Sequence, residues 1–231
     1  MIYLGIDTSN SPLSLALVED GRVLIEETSN LKINHSLTAM PAIEEMMKKA
    51  KITPADLTHI AVAEGPGSYT GVRIGLTIAK TLAWSLKIPL HLVSSLKVLA
   101  ANGEGFDGLV CPLMDARRGT AFIGLYEGVG LATVLADQHS DVKEFLVKVK
   151  ELDRPVLFTG VDVDVHETLI KEVLGHHAYL SSAQNQLPRA TQLIFLAQQS
   201  AESNVHLAVP EYRRITEAEA NYNKAQEGKR R

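Results

Sequence analysis

The first apolar stretches of the chain are short. Ile2–Ile6 ends at Asp7, and Leu13–Val18 and Val23–Glu27 follow as two strand-like runs around Glu19-Asp20-Gly21. An Asp-Gly pair between apolar runs predicts a tight hairpin. From Asn34 the period changes. Leu37, Met40, Ile43, Met47 and Ala50 recur at steps of three and four, which predicts a helix from about His35 to Ala50 with one apolar stripe, capped by Asn34 or Ser36. Pro41 should kink this helix or mark its first turn. His59–Ala63 predicts a strand. A glycine cluster follows, then a long apolar helix to about Leu86, a strand at Pro89–Val93 and a short helix over Ser95–Ala101.

Asn102–Gly108 carries three glycines in seven residues and reads as a linker. Beyond it the pattern restarts. Leu109–Met114 is apolar and ends at Asp115. Thr120–Tyr126 and Leu131–Leu135 predict strands, Ser140–Val149 a helix and Val156–Thr159 a strand ending in Gly160. Helices are expected around His166–Leu174 and Thr191–Ala201. Asp7 and Asp115 each close a first strand and lie 108 residues apart, and Leu15-Ala16-Leu17 and Ile123-Gly124-Leu125 show the same offset. Identity between the halves is nearly nil, so any repeat lies in element order. The expectation is an α/β protein of two similar lobes, residues 1–102 and 109–231, each a mixed sheet covered by helices. The segment after about 205 is expected to pack back on the first lobe.

Composition narrows the function classes. The 231 residues carry a formal charge of −4, so no broad positive field draws nucleic acid. The terminal Gly228-Lys229-Arg230-Arg231 reads as a solvated end. Cys111 lies in the apolar run Leu109–Leu113 and reads as a buried small hydrophobe; with no second cysteine in the chain, a reducing cytoplasm fits. The opening MIYLGIDTSN does not read as a signal peptide, and no apolar run approaches the ~20 residues of a membrane span.

The cluster Glu64-Gly-Pro-Gly-Ser-Tyr-Thr-Gly-Val-Arg-Ile-Gly75 suggests a phosphate cradle, but it fits neither known pattern. Gly71 is followed by Val72 rather than Lys, and Gly65, Gly67 and Gly71 miss the dinucleotide spacing by one residue. Instead, Gly71, Gly75, Ala79 and Ala83 recur every four residues as a smooth row. Interior glycine costs a helix roughly 1 kcal/mol relative to alanine, which close approach of another helix would offset. The rest of this helix is apolar nearly all round, so it requires cover on two sides. The helix after His35, with Met40, Met46 and Met47, is the partner within the chain. The two are expected to present a joint face to another protein, through Met40, Ile43, Met47, Gly71, Val72, Gly75, Leu76, Ala79, Leu82 and Ala83. Arg73 lies off the row and is expected to pair with an acid.

Asp7-Thr8-Ser9 sits where the first strand turns. It reads either as a carboxylate and hydroxyls for a metal-bound phosphate, or as turn formers bonding their own backbone. Arg117-Arg118 read as exposed turn residues, with a cleft-facing role towards phosphate or tRNA as the alternative. The remaining histidines show no metal-ligand spacing, and Gly67-Ser68-Tyr69-Thr70-Gly71 places its serine one position too early for a nucleophile elbow.

Several stretches resemble one family within the actin-like (ASKHA, ribonuclease H-like) superfamily, the TsaB or YeaZ proteins. They are GIDTS at 5–9, NHSLTAMPAI at 34–43, AEGPGSYTGVRIGLTIAK at 63–80, MDARRGTAF at 114–122 and PEYRR at 210–214. The resemblance implies two actin-like lobes and a non-catalytic subunit. This subunit is required with its paralogue TsaD, and with the ATPase subunit TsaE, for threonylcarbamoyl transfer to the adenosine next to the anticodon of tRNA. It implies tRNA contact only through the partner, a possible homodimer, no membrane and no resident metal. TsaD carries a His-x-x-x-His metal helix; here His35 is followed four residues later by Ala39. The resemblance places nucleotide contacts at Asp7, Thr8, Ser9 and Gly160. Val161 and Val163 crowd the purine position, so no tightly bound cofactor is expected, only weak or interface ATP or ADP. The competing readings are a small-molecule kinase of the same superfamily and a self-associating regulatory module.

Overall fold

The structure is a computed structural model and describes residues 1–31 and 34–213. Two five-stranded sheets share one topology. In the first, β1 (Ile2–Asp7), β2 (Leu13–Glu19) and β3 (Arg22–Ser29) form an antiparallel meander, and β4 (His59–Ala63) and β5 (Leu90–Val93) add in parallel on the other side of β1, giving the order β3-β2-β1-β4-β5. In the second, β6 (Leu109–Asp115), β7 (Thr120–Glu127), β8 (Thr133–Asp141), β9 (Val156–Thr159) and β10 (Ala178–Leu180) repeat the plan as β10-β9-β6-β7-β8. The repeat of element order expected from the sequence is therefore present.

The offset of 108 does not carry through as an alignment. Asp7 pairs with Ser14 and Asp115 with Ala121, so the second hairpin is one residue shorter. Side chains alternate along a strand. Ile6 packs under the helices of one face, which turns Asp7 to the other, whereas Asp115 shares the face of Leu109, Cys111 and Leu113. The two aspartates end equivalent strands on opposite sides.

α1 (His35–Ala50) and α2 (Tyr69–Leu86) cover one face of the first sheet, burying Leu4, Ile6, Leu15, Leu17 and Val62 against Ile43, Met46, Leu76 and Ala79. α1 begins as the sequence predicts, with the Asn34 side chain accepting from the Ser36 N–H, and it continues through Pro41. Its buried stripe is Ala39, Ile43, Met46 and Met47; Leu37 and Met40, expected in that stripe, are exposed. α4 (Val142–Lys150) and α5 (Val163–Leu174) cover the second sheet around Phe145 and Phe158. α3 (Ser95–Ala100) bridges the sheets, with Leu96 and Leu99 packed on Met114 and Ala100 against Val110 and Tyr126. Cys111 is buried.

α6 (Ala190–Ala197) lies late in the sequence but covers the outer face of the first sheet, with Leu193 and Ile194 against Tyr3, Ala16 and Ala61. The Ala190 N–H donates to Ser14 Oγ at 2.9 Å, and Glu26 accepts from Arg189 and Thr191. Gly5 permits this approach, because a Cβ there would lie 2.8 Å from the Ala190 carbonyl. The segment after α6 then returns along the first lobe. Ser203 N–H bonds Leu90 O at 2.8 Å, Lys80 Nζ bonds Ala208 O at 2.6 Å, and Glu211 N–H bonds Glu64 O at 2.8 Å. Arg214 of the PEYRR stretch and the Gly228–Arg231 end lie outside the described residues. Among the described residues no helix is long and apolar enough to cross a membrane.

Candidate functional site

The glycine-rich entry to α2 is built around the end of β1. Ser68 caps α2, its hydroxyl accepting from the Gly71 N–H at 3.2 Å, and the Ser68 N–H donates to Ser9 O at 2.7 Å. A Cβ at Gly67 would meet Ser9 O at 2.1 Å, and one at Gly71 would meet Thr8 O at 2.2 Å. The Thr8 hydroxyl donates to Gly71 O at 2.7 Å and lies 2.4 Å from where a Gly75 Cβ would stand. The row Gly71, Gly75, Ala79 and Ala83 thus faces its own sheet and the β1 end, all four residues being buried. This corrects the expectation that the row receives another protein. The small residues let α2 sit close enough to its own backbone to close over Thr8 and Ser9.

Of the ten residues expected at a partner face, Ile43, Met47, Gly71, Val72, Gly75, Leu76, Ala79 and Ala83 are buried within the chain; Met40 is exposed and Leu82 half-buried. The helical period identifies residues that share a face, and both faces of α2 offered apolar candidates. The open side of the helix pair carries Leu37 (72% exposed), Met40 (44%) and Pro41 from α1, and Thr77, Thr81, Trp84 (64%) and Ser85 from α2, flanked by half-buried Ile74 and Ile78.

Asp7, Thr8 and Ser9 are also buried. Asp7 Oδ1 accepts from the Ser9 N–H at 2.9 Å and its hydroxyl at 2.7 Å, the local turn chemistry of the second sequence reading, while Oδ2 has no partner among the described residues. Burial raises the Asp7 pKa above its ordinary value, the Ser9 bonds opposing. Gly160 (φ 131°) abuts β6, where a Cβ would lie 2.1 Å from Leu113 O. Close packing on β6 requires glycine there. His35 Nε2 bonds Asn10 O at 3.0 Å, and the position one turn on, Ala39, is a buried methyl.

The open concavity lies further out, between the lobes. A cleft of about 590 Å³ is lined by Asn10, Gly67, Ser68 and Tyr69 from the first lobe and Met114–Arg118 and Phe122 from the second. Glu211, Tyr212 and Arg213 of the returning segment complete it. Asp7, Thr8, Ser9 and Gly160 are not among its lining residues. Asp115 Oδ1 lies 2.9 Å from His166 Nε2, and Asp115 N–H donates to Asp162 Oδ2 at 3.1 Å. Burial raises the Asp162 pKa. Burial likewise lifts Glu64, behind the cleft, to about 6, helped by Glu211.

At the mouth, Arg73 meets no acid among the described residues. Its guanidinium lies 3.8 Å from the Tyr69 ring centre, its Nε donates to the Tyr212 hydroxyl, and the two tyrosine rings stack at 5.0 Å. Tyr69, Arg73 and Tyr212 stand within the quoted stretches, but a contact spanning 139 residues has no sequence period to reveal it. Arg117 and Arg118 are exposed turn residues, as expected, and they also line the cleft.

The sequence and fold are matched by known proteins. Residues 23–224 fit the family TsaD, tRNA N6-adenosine threonylcarbamoyltransferase. The chain is 47% identical over 98% of its length, and all of the relative's, to the Bacillus subtilis tRNA threonylcarbamoyladenosine biosynthesis protein TsaB. A Pseudomonas aeruginosa structure described as similar to the peptidase YeaZ superposes with a TM-score of 0.78 at 24% identity, covering 92% of this chain and 99% of that one. The ROK hexokinase of Thermus thermophilus shares the fold at a TM-score of 0.52 and 11% identity, covering 87% and 100%. Near-full-length identity to a TsaB protein, with a TsaD model matching almost the same span, means that this chain belongs to the TsaD-like family and, within it, to the TsaB proteins.

Proposed function

We propose that this chain acts in tRNA threonylcarbamoyladenosine biosynthesis as a non-catalytic subunit that docks a TsaD-like catalytic subunit through the open side of α1 and α2. The observation that carries this reading is that the outward sides of the two helices leave Leu37 and Met40 of α1 and Trp84 of α2 exposed, with the smaller Thr77, Thr81 and Ser85 along α2. Small side chains along a helix ridge let a second helix approach closely, and bulky apolar neighbours supply the burial. Methionine and leucine on α1 adapt to a partner surface. The paralogue is built on the same plan, so a helix pair from each subunit can form a four-helix contact. The same face permits self-pairing, which the heterodimer would displace.

The interior supports a docking role over independent catalysis. The Asp7-Thr8-Ser9 turn that a kinase of this fold would open to phosphate is shut under α2. The helix position that would pair with His35 as a metal ligand is Ala39. ATP or ADP would then bind weakly or at the junction with the partner, and the pathway's ATPase subunit would join the assembled pair in the cytoplasm.

Calorimetry with the TsaD-like subunit tests the face. Thr77→Glu places a charge on an exposed position and leaves the fold intact. Heat of binding should vanish for this variant and persist for wild type. Unchanged binding of T77E, or no binding of wild type, contradicts the proposal.

A further inference from the structure

We infer that the mouth of the interlobe cleft is a contact site for single-stranded RNA, with Arg117 and Arg118 holding backbone phosphate and the Tyr69–Tyr212 pair stacking a base. The inference rests on the proposed function and departs from the expectation that RNA touches only the partner.

The β6–β7 turn carries the first observation. Thr120 N–H donates to Arg117 O at 3.1 Å, which makes Arg118 and Gly119 the central pair of a tight turn. Arg117 (φ 69°), Arg118 (φ 54°) and Gly119 (φ 77°) are all in the left-handed region. Turns with two central residues at positive φ favour Asn-Gly or Gly-Gly, and arginine is disfavoured there by its Cβ. The backbone therefore offers no reason for two arginines. Their guanidiniums also lack an acid partner among the described residues, although both are exposed on the cleft wall. The two acids of that wall have other partners: Asp115 bonds His166 and the Arg117 N–H, and Glu211 pairs with Arg213 at 2.6 Å. The guanidiniums of both turn arginines thus line the cleft without an acid partner among the described residues.

The second observation is aromatic. Tyr69 and Tyr212 stack on each other with Arg73 over Tyr69, and both rings are nearly half exposed at the cleft mouth (47% and 43%). Phe122 lines the opposite wall. Free guanidiniums beside exposed aromatic faces are the elements by which proteins hold single strands. A free mononucleotide of this fold would need the β1 turn and the Gly160 turn, and neither lines the open space. An outer rim with a closed interior suits a strand lying across it.

The test uses the purified full chain and a fluorescein-labelled single-stranded 12-nucleotide RNA, read by anisotropy over a salt series. Arg117→Gly with Arg118→Asn suits the left-handed backbone, so the variant folds while losing both charges. It should bind roughly tenfold more weakly than wild type, and the log–log salt slope should shrink by about 1.4 for two lost phosphate contacts. Arg117→Lys with Arg118→Lys should retain most of the affinity. Tyr69→Ala should weaken binding without changing the slope. Unchanged RNA binding by R117G/R118N, or displacement of the RNA by equimolar ATP, overturns the inference. The catalytic subunit should still bind R117G/R118N by calorimetry. If it binds and RNA affinity does not change, only this inference fails; if it does not bind even wild type, the proposed function fails instead.

Discussion

The Thr8 hydroxyl lies in the notch between Gly71 and Gly75, donating to the Gly71 carbonyl at 2.7 Å where a Cβ on Gly75 would stand 2.4 Å away. This contact fixes α2 against the end of β1 and decides what the glycines are for.

Helix propensity and packing make opposite forecasts at these positions. Alanine should stabilise a helix interior by roughly 1 kcal/mol over glycine. Overpacking costs about 1–3 kcal/mol. Contact below 3 Å with a buried hydroxyl makes packing the larger effect, so Gly75→Ala should destabilise. Gly71→Ala should cost more, because its obstacle is the Thr8 carbonyl, a backbone atom at 2.2 Å. Urea denaturation of the three proteins measures the order; a stabilised G75A contradicts it.

Glu64 predicts a stability that falls as pH rises. Burial and then Glu211 lift its pKa from 4.5 to about 6, so the folded chain binds its proton more tightly than the unfolded chain. The contribution is neutral below pH 4.5 and becomes a penalty as pH rises through 6. Glu64→Gln should therefore stabilise at pH 8 and have little effect at pH 4.5. Melting temperatures at the two values check this, and equal shifts at both would count against it.

Two histidines produce the opposite trend. Tyr3 stacks on His59 at 4.3 Å, and His91 lies 5.6 Å from His59. Burial lowers both imidazole pKa values from 6.5, with His91 a further cause for His59. The folded state thus favours the neutral rings, and stability is lost as pH falls below 6.5. His91→Phe should flatten the acid limb between pH 6.5 and 5 in thermal melts. An unaltered limb would assign it elsewhere.

Element order was legible because short apolar runs, an Asp-Gly turn and the three-four period each report on local structure. The limits are equally physical. β8 runs to Asp141, beyond the apolar stretch ending at Leu135, because an edge strand buries too little to keep its alternation. β10 has three residues and no pattern to show. Periodicity put Gly71, Gly75, Ala79 and Ala83 on one line but could not say that this line meets Thr8. Thr77 and Thr81, on the proposed docking face, read as ordinary solvated positions. The cleft mouth depends on Tyr212 reaching Arg73 across the fold.

The central claim is that this chain supplies a docking surface while the chemistry belongs to its partner. Reconstituted threonylcarbamoyl transfer to tRNA, with the TsaD-like catalytic subunit and the ATPase subunit, measures it directly. The account predicts product only when this chain is added, none from this chain alone, and none when T77E replaces it. Product formed by this chain without the catalytic subunit, or full activity with T77E, would contradict it.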